Sequence, residues 1–406
     1  MEKELDQITL KIEEEIDALA QTSIRHGEYW RAGFTPEDKA SVELLTGWLR
    51  ERGFQTYTDC AGNLFGRIEG KEPGVILTGG HRDTVKHDGK YGSGLGCITA
   101  LEAVTELVQE LGQPKKTVEV VFTSEEEGSR FFTGFSGSRA IAGVLTEAHL
   151  KEKDADGITL EQAMTDAGYF KGELPSARKD IEHFVSLSPE QGQVMLRSMA
   201  KVGLVQSVVG MLLGRITIHG EQNHAGTTPM SLRHDPVVMA SKIVVDMTKW
   251  ARNRNDRVAC TFGNIRVWPG KYNTIAGEVE LTFDFRSPRE ALLREAQSLL
   301  KEFCVDSKGK VTVEYEIVTN DEPADMDIDG VLAMRDIAAE RKMSYMRLDS
   351  GAGQDAQILA HICPCNMIFV PSEKGIAHSP LEHTAREDFA DGYVVLREYL
   401  RKLAWD

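Results

Sequence analysis

The chain is expected to fold as an α/β protein in which a discontinuous larger α/β domain is interrupted by an inserted βαββαβ domain. Three features of the sequence lead there. Short β-rich runs alternate with helical stretches in the first half, the order of elements changes near Arg215, and α/β texture resumes after Pro323. At 406 residues the chain also exceeds what one hydrophobic core usually serves. The expected division is 1–213 with 325–406 for the larger domain and 214–324 for the insert.

Taken in order, residues 5–25 and 37–53 carry apolar positions at helical spacing, and Gly53 supplies a C-terminal stop. Val75-Ile76-Leu77-Thr78 and Val118-Glu119-Val120-Val121-Phe122 read as strands, with a helix from about Gly96 to Leu111 between them. In such βαβ units functional residues collect at the C-terminal ends of the strands. His81 and the acidic run Glu125-Glu126-Glu127 fall there. From Arg215 the expected order is strand 215–219, helix 235–250, strand 258–267, strand 278–286, helix 289–303 and strand 310–318. That order is the ferredoxin-like unit, a complete small domain in itself. A helix near 331–342 and a strand near 366–370 follow.

A formal net charge of −16 argues against nucleic acid and anionic membranes as partners. The sequence opens on an acidic amphipathic pattern rather than the basic start and apolar run of a signal peptide, and no apolar segment approaches membrane-spanning length. Six scattered cysteines suit reduced thiols in a large chain, so a cytoplasmic location is expected. Cys363-Pro364-Cys365 borders an apolar run and reads as strand entry.

Two motifs carry the chemistry. His81 and Asp83 flank one residue just after a strand, a spacing that lets an imidazole bind an ion while a carboxylate orients its other nitrogen. Ser124-Glu125-Glu126-Glu127-Gly128 sets consecutive carboxylates after a buried-type strand, where one can activate water and its neighbour bind metal. His378 follows the last expected strand, and His224 lies in a glycine-containing turn, Gly220 to Met230. Neither lone histidine is persuasive separately.

Together with Gly62-Asn63-Leu64, Glu190-Gln191-Gly192, Asn273, Asp284-Phe285-Arg286-Ser287 and Ser350-Gly351-Ala352-Gly353, these segments resemble the dinuclear zinc amidohydrolases and exopeptidases that contain allantoate amidohydrolase and N-carbamoyl-L-amino acid hydrolase. The landmarks run in family order from about residue 30 to 390. The resemblance implies His81 and His378 as ligands of one zinc and Glu127 as ligand of the other, with Glu126 as general base and Asp83 behind His81. It implies that His224 stabilises an oxyanion across a dimer interface, and that Gln191, Asn273 and Arg286 serve a small substrate carrying a carboxylate. It also implies a homodimer formed through the insert.

Three positions depart from that pattern. Gly92 stands where the family has a bridging Asp, Ser188 where it has a His ligand, and Gln354 where it has another His. Without a bridging carboxylate two divalent ions would repel, so one zinc or other divalent ion is expected rather than two. Asp88, His87, Ser93 and His183 are candidates for a replacement ligand by proximity in sequence. The expected function is hydrolysis of a linear amide or ureido compound. A metal-poor enzyme with altered chemistry and a catalytically silent small-molecule-binding dimer stand as alternatives.

Overall fold

The computed structural model describes residues 2–25, 28–255, 257–306 and 311–406. The chain divides into two compact units, residues 1–206 with 325–350 and 354–406, and residues 207–324 with 351–353. The first boundary lies earlier than the expected 213/214. The reason is that Gly210–His219 is one uninterrupted strand whose whole length pairs within the smaller unit's sheet.

The larger unit is built on a mixed sheet with the order Val202–Val208, Cys365–Val370, Ile181–Pro189, Glu72–His81, Lys116–Thr123, Leu64–Ile68, Gln55–Thr58. Its four central strands, from Cys365–Val370 to Lys116–Thr123, are parallel, and the flanking strands run antiparallel. Parallel strands are buried on both faces, and Val118 to Phe122 are accordingly buried without alternation. The helix Tyr91–Leu111 connects two of these strands and is buried almost all round, because it packs on the sheet while Glu2–Gln21 and Arg386–Ala404 pack on it. Register fixes the working edge: His81 pairs with Thr123 and Pro189 with Val370, so the loops that follow these strands leave from one side.

The first helix ends at Gln21, short of the expected residue 25, since Ile24–Arg25 pairs with Glu28–Tyr29 as a two-stranded ribbon. Cys365 opens its strand, and its thiol lies 3.9 Å from that of Cys363 with both free. Among the described residues no helix is long and apolar enough to cross a membrane.

The smaller unit has the predicted element order. The expected strand 258–267 is two pieces, Ala259–Thr261 and Ile265–Trp268, which both pair with Glu278–Ser287. The sheet order, these pieces, then Glu278–Ser287, Gly210–His219 and Thr312–Asp321, is antiparallel throughout. Lys310, the expected start of the last strand, lies outside the described residues. Helices Pro236–Arg252 and Glu290–Asp306 cover one face, and Ile216, Ile218, Leu281, Phe283, Ile243 and Leu300 form the core between them.

Glu15 on the first helix shares Arg52 with Glu102, and Lys11 also reaches Glu102 at 2.7 Å. Burial and the adjoining Glu102 raise the Glu15 carboxyl to about 7 against the pull of Arg52 and Lys11, and its Oε2 has no partner. The folded pKa lies above the unfolded one, so the folded chain holds a proton that the unfolded chain releases. Stability at this site is therefore present below the unfolded value and is lost as pH rises towards and through 7. Glu15→Gln is expected to stabilise by about 1 kcal/mol at pH 8 and to do little at pH 5. Urea midpoints at the two pH values check this, and equal shifts at both would refute the assignment.

Candidate active site

The loop after Lys116–Thr123 is held by its first glutamate. Glu125 takes a left-handed backbone (φ 50°), and its buried carboxylate accepts N–H bonds from Gly33, Arg130 and Phe131 at 2.8 to 2.9 Å. Burial and the neighbouring Asp83 raise this carboxyl to about 8 although the three N–H groups oppose them. Glu125 therefore anchors the loop and leaves Glu126 and Glu127 to present theirs at the strand edge.

Asp83 has a different job from the one its spacing suggested. Its carboxylate accepts the main-chain N–H groups of Glu126 and Glu127, both at 3.0 Å, and lies 3.9 Å from His81 Nδ1. The imidazole is oriented instead by the main-chain carbonyl of Asp83, 3.0 Å from Nδ1. A carbonyl only accepts, so this bond puts a proton on Nδ1 and leaves the Nε2 lone pair for a ligand. Burial alone would lower the His81 pKa, yet Glu126, Glu127, Asp83 and Asp355 together raise it to about 10.

Ligand atoms of His81, Glu126 and Glu127 all lie within 4.8 Å of one another, the metal-competent group of three found among the described residues. His81 Nε2 is 4.0 Å from one oxygen of Glu127, and His378 Nε2 is 3.4 Å from the other. Burial pushes the Glu127 carboxyl up, but the hydrogen bond to His378 and the charge of His81 hold it low; the same hydrogen bond raises His378 to about 8. Glu126 is driven the opposite way, well above the usual carboxylate range, by burial and then by Glu127, Asp355 and Asp83 against His81. The donor set, two imidazoles and adjacent carboxylates around Glu127, fits a divalent cation, which would take the place of the proton on His81.

Gly92, Ser188 and Gln354, far apart in sequence, all line one cavity of about 20 Å³ with His81, Ser93 and Asp355. That volume accommodates about one water. Asp355 accepts from Thr123 through one carboxylate oxygen, while its other oxygen is buried without a partner.

Of the four replacement-ligand candidates, Asp88 is the charged one that adjoins this group: burial and then the charge of Glu127 raise it to about 6. His183 does not, because it sits mid-strand opposite Ile76, bonded to Asn366 at 2.8 Å and to Tyr399 at 3.1 Å. Ser93 accepts from Arg31, and His87 is exposed. Glu382, which sequence reasoning missed, is buried at the site, with Gly92 N–H donating to its Oε1 at 2.6 Å. The local signal for it is its place four residues after His378, in a loop far in sequence from Gly92.

Gln191, at the end of Ile181–Pro189, has a left-handed backbone (φ 59°), and its N–H donates to Ser372 Oγ at 2.9 Å. The smaller unit carries the remaining three candidates. His224 is exposed, and its Nδ1 accepts from Gly226 N–H at 2.9 Å and Thr227 N–H at 3.1 Å, so the ring proton is on Nε2. Arg286 is gripped by Asp284 through Nε and Nη2 at 2.9 to 3.1 Å, with Nη1 3.4 Å from the Gly351 carbonyl. Asn273 is exposed, its Oδ1 3.2 Å from the Thr274 hydroxyl.

Fold and site together define a two-unit α/β hydrolase with a histidine and carboxylate centre. The chain belongs to peptidase family M20/M25/M40, which matches residues 77–402. It is 36% identical over 393 residues to the N-carbamoyl-L-amino acid amidohydrolase of Geobacillus stearothermophilus, covering 93% of this chain and 94% of that one. It is 35% identical over 415 residues to the allantoate amidohydrolase of Bacillus subtilis (strain 168), covering 100% of both. Among solved structures, an amidase of the hydantoinase/carbamoylase family from Burkholderia multivorans superposes with a TM-score of 0.87 at 29% identity, over 98% of both chains.

Proposed function

We propose that this enzyme, a hydrolase of non-peptide C–N bonds, cleaves the ureido group of a small carboxylate, either allantoate or an N-carbamoyl-L-amino acid. The observation that carries the reading is the meeting of His81, Glu126 and Glu127 within ligand distance at the strand edge, in a chain whose relatives bear those two activities. His81, Glu127 and His378 would hold one divalent cation, zinc being the natural choice for such donors. When bound, that cation supplies acidity to water and polarisation to the carbonyl.

Glu126 acts on the proton. Its carboxylate removes one from the attacking water as the oxygen forms its bond to the ureido carbon, and returns it to the leaving nitrogen as the C–N bond breaks. Burial, then Glu127, Asp355 and Asp83, raise its affinity for a proton, so once ionised it is a stronger base towards water than a solvated carboxylate. Asp83 holds the two N–H groups that set the Glu126–Glu127 turn, so it acts by positioning. The Nε2–H of His224 is a donor suited to the developing oxyanion, contributed within a homodimer formed through the smaller unit. Arg286, already oriented by Asp284, binds the substrate carboxylate with Asn273. Six free cysteines support a cytoplasmic location.

The test is ammonia release from allantoate and from several N-carbamoyl-L-amino acids by protein loaded with Zn²⁺ or Mn²⁺. Turnover of one class supports the reading; no turnover of either with either ion overturns it. In the same assay Arg286→Ala is expected to raise KM about 10- to 100-fold, the equivalent of one charge-assisted hydrogen bond, with a smaller change in kcat. An unchanged KM would remove Arg286 from the carboxylate site.

A further inference from the structure

The Glu382 carboxylate occupies the space over Gly92. A Cβ built on Gly92 would lie 3.2 Å from Oε1 and 3.4 Å from Oε2 of Glu382, so the glycine leaves room for this side chain rather than a hole. Glu382 is only 5% exposed. Its Oε1 takes the Gly92 N–H and the main-chain N–H of His378 also bears on the carboxylate, whereas its buried Oε2 meets no donor at hydrogen-bond geometry. Asp88 and His378 are its charged neighbours, and His378 in turn contacts Glu127. Asp83, Asp88, Glu126, Glu127, Asp355 and Glu382 thus stand near one or both of the imidazoles of His81 and His378, a concentration of buried carboxyl groups whose ionised forms a cation would stabilise.

We propose that Glu382 is a cation ligand, its free Oε2 joining His378 and Glu127, so that residue 382 supplies from a distant loop a carboxylate at the position of Gly92. This rests on the single-cation reading above. Glu382 lies outside the close group of His81, Glu126 and Glu127, so engaging it takes a movement of its side chain or of His378. The competing role is structural: a carboxylate on the first turn of Tyr91–Leu111 caps that helix and favours its dipole.

Glu382→Gln separates the two, because it preserves shape and the acceptor for Gly92 N–H while removing the charge. Chelator-stripped full-length protein is titrated with Zn²⁺ alone, and with Mn²⁺ in a second series, against a competing chelator. Glu382→Gln is expected to bind at least tenfold more weakly than wild type, with circular dichroism unchanged. The double variant Glu382→Ala with Gly92→Asp, which moves the carboxylate back to position 92 and clears the space for it, is expected to regain affinity to within about threefold of wild type. Unchanged affinity in Glu382→Gln would overturn the ligand role and leave capping; a double variant no better than Glu382→Ala alone would overturn the equivalence of the two positions. Wild-type protein that takes up neither ion would overturn the cation reading itself.

Discussion

Glu126→Gln is expected to lower kcat for ureido hydrolysis by about 10³-fold, with KM and metal content changed by less than threefold. Gln has the size and shape of Glu but cannot accept the proton, so the change isolates the acid–base step. The expected effect is large because the other carboxyl groups of the two loops are committed elsewhere. Glu125 is committed to three main-chain N–H groups, Asp83 to two more, and Glu127 to the imidazoles of His81 and His378. A steady-state profile with parallel metal analysis decides it. Activity within tenfold of wild type, at equal metal content, would place the base elsewhere. A fall in bound metal matching the fall in kcat would make Glu126 chiefly a ligand.

The site's framework was legible because it depends on local pattern. A β-rich run followed by His-x-Asp, and another followed by three glutamates, predicts two parallel strand ends, and the pairing of His81 with Thr123 brings them together. The division of labour among the glutamates was not legible. It follows from the left-handed turn at Glu125 and from N–H donors as far away as Gly33, which residue type alone does not encode. The hydrogen bonds of Asp83 were not legible either: its carboxylate lies 3.9 Å from His81 Nδ1, as the spacing allows, but its bonds go to two N–H groups of the Glu126–Glu127 turn that would otherwise be unsatisfied. His183 looked eligible by position, and strand alternation turned it towards Asn366 and Tyr399 instead. Glu382 stood four residues from His378, but its meeting with Gly92, like the shared cavity of Gly92, Ser188 and Gln354, comes only from segments far apart in sequence.

The largest expected stability effect lies just behind this site. Arg82, the residue between His81 and Asp83, is fully buried, with Nε and Nη2 on the two oxygens of Asp38 at 2.7 and 3.0 Å and Nη1 on the Phe122 carbonyl at 2.9 Å. Asp38 is equally buried in the first turn of Pro36–Glu51 and also accepts the Phe34 N–H at 2.9 Å. Forming such a pair gains little net free energy, since both ions lose water, but breaking it leaves a charge with neither water nor partner. Asp38→Ala is therefore expected to destabilise the larger unit by about 3 to 5 kcal/mol, whereas Asp38→Leu combined with Arg82→Met should lose markedly less. Urea unfolding followed by tryptophan fluorescence tests this, because Trp30 and Trp48 flank the same region. If the single and double variants unfold at the same midpoint, the unpaired charge is not the cause. If the double variant keeps its stability and loses turnover, the Arg82–Asp38 pair is retained for the placement of His81 and Asp83, which its two bonds hold at the end of their strand.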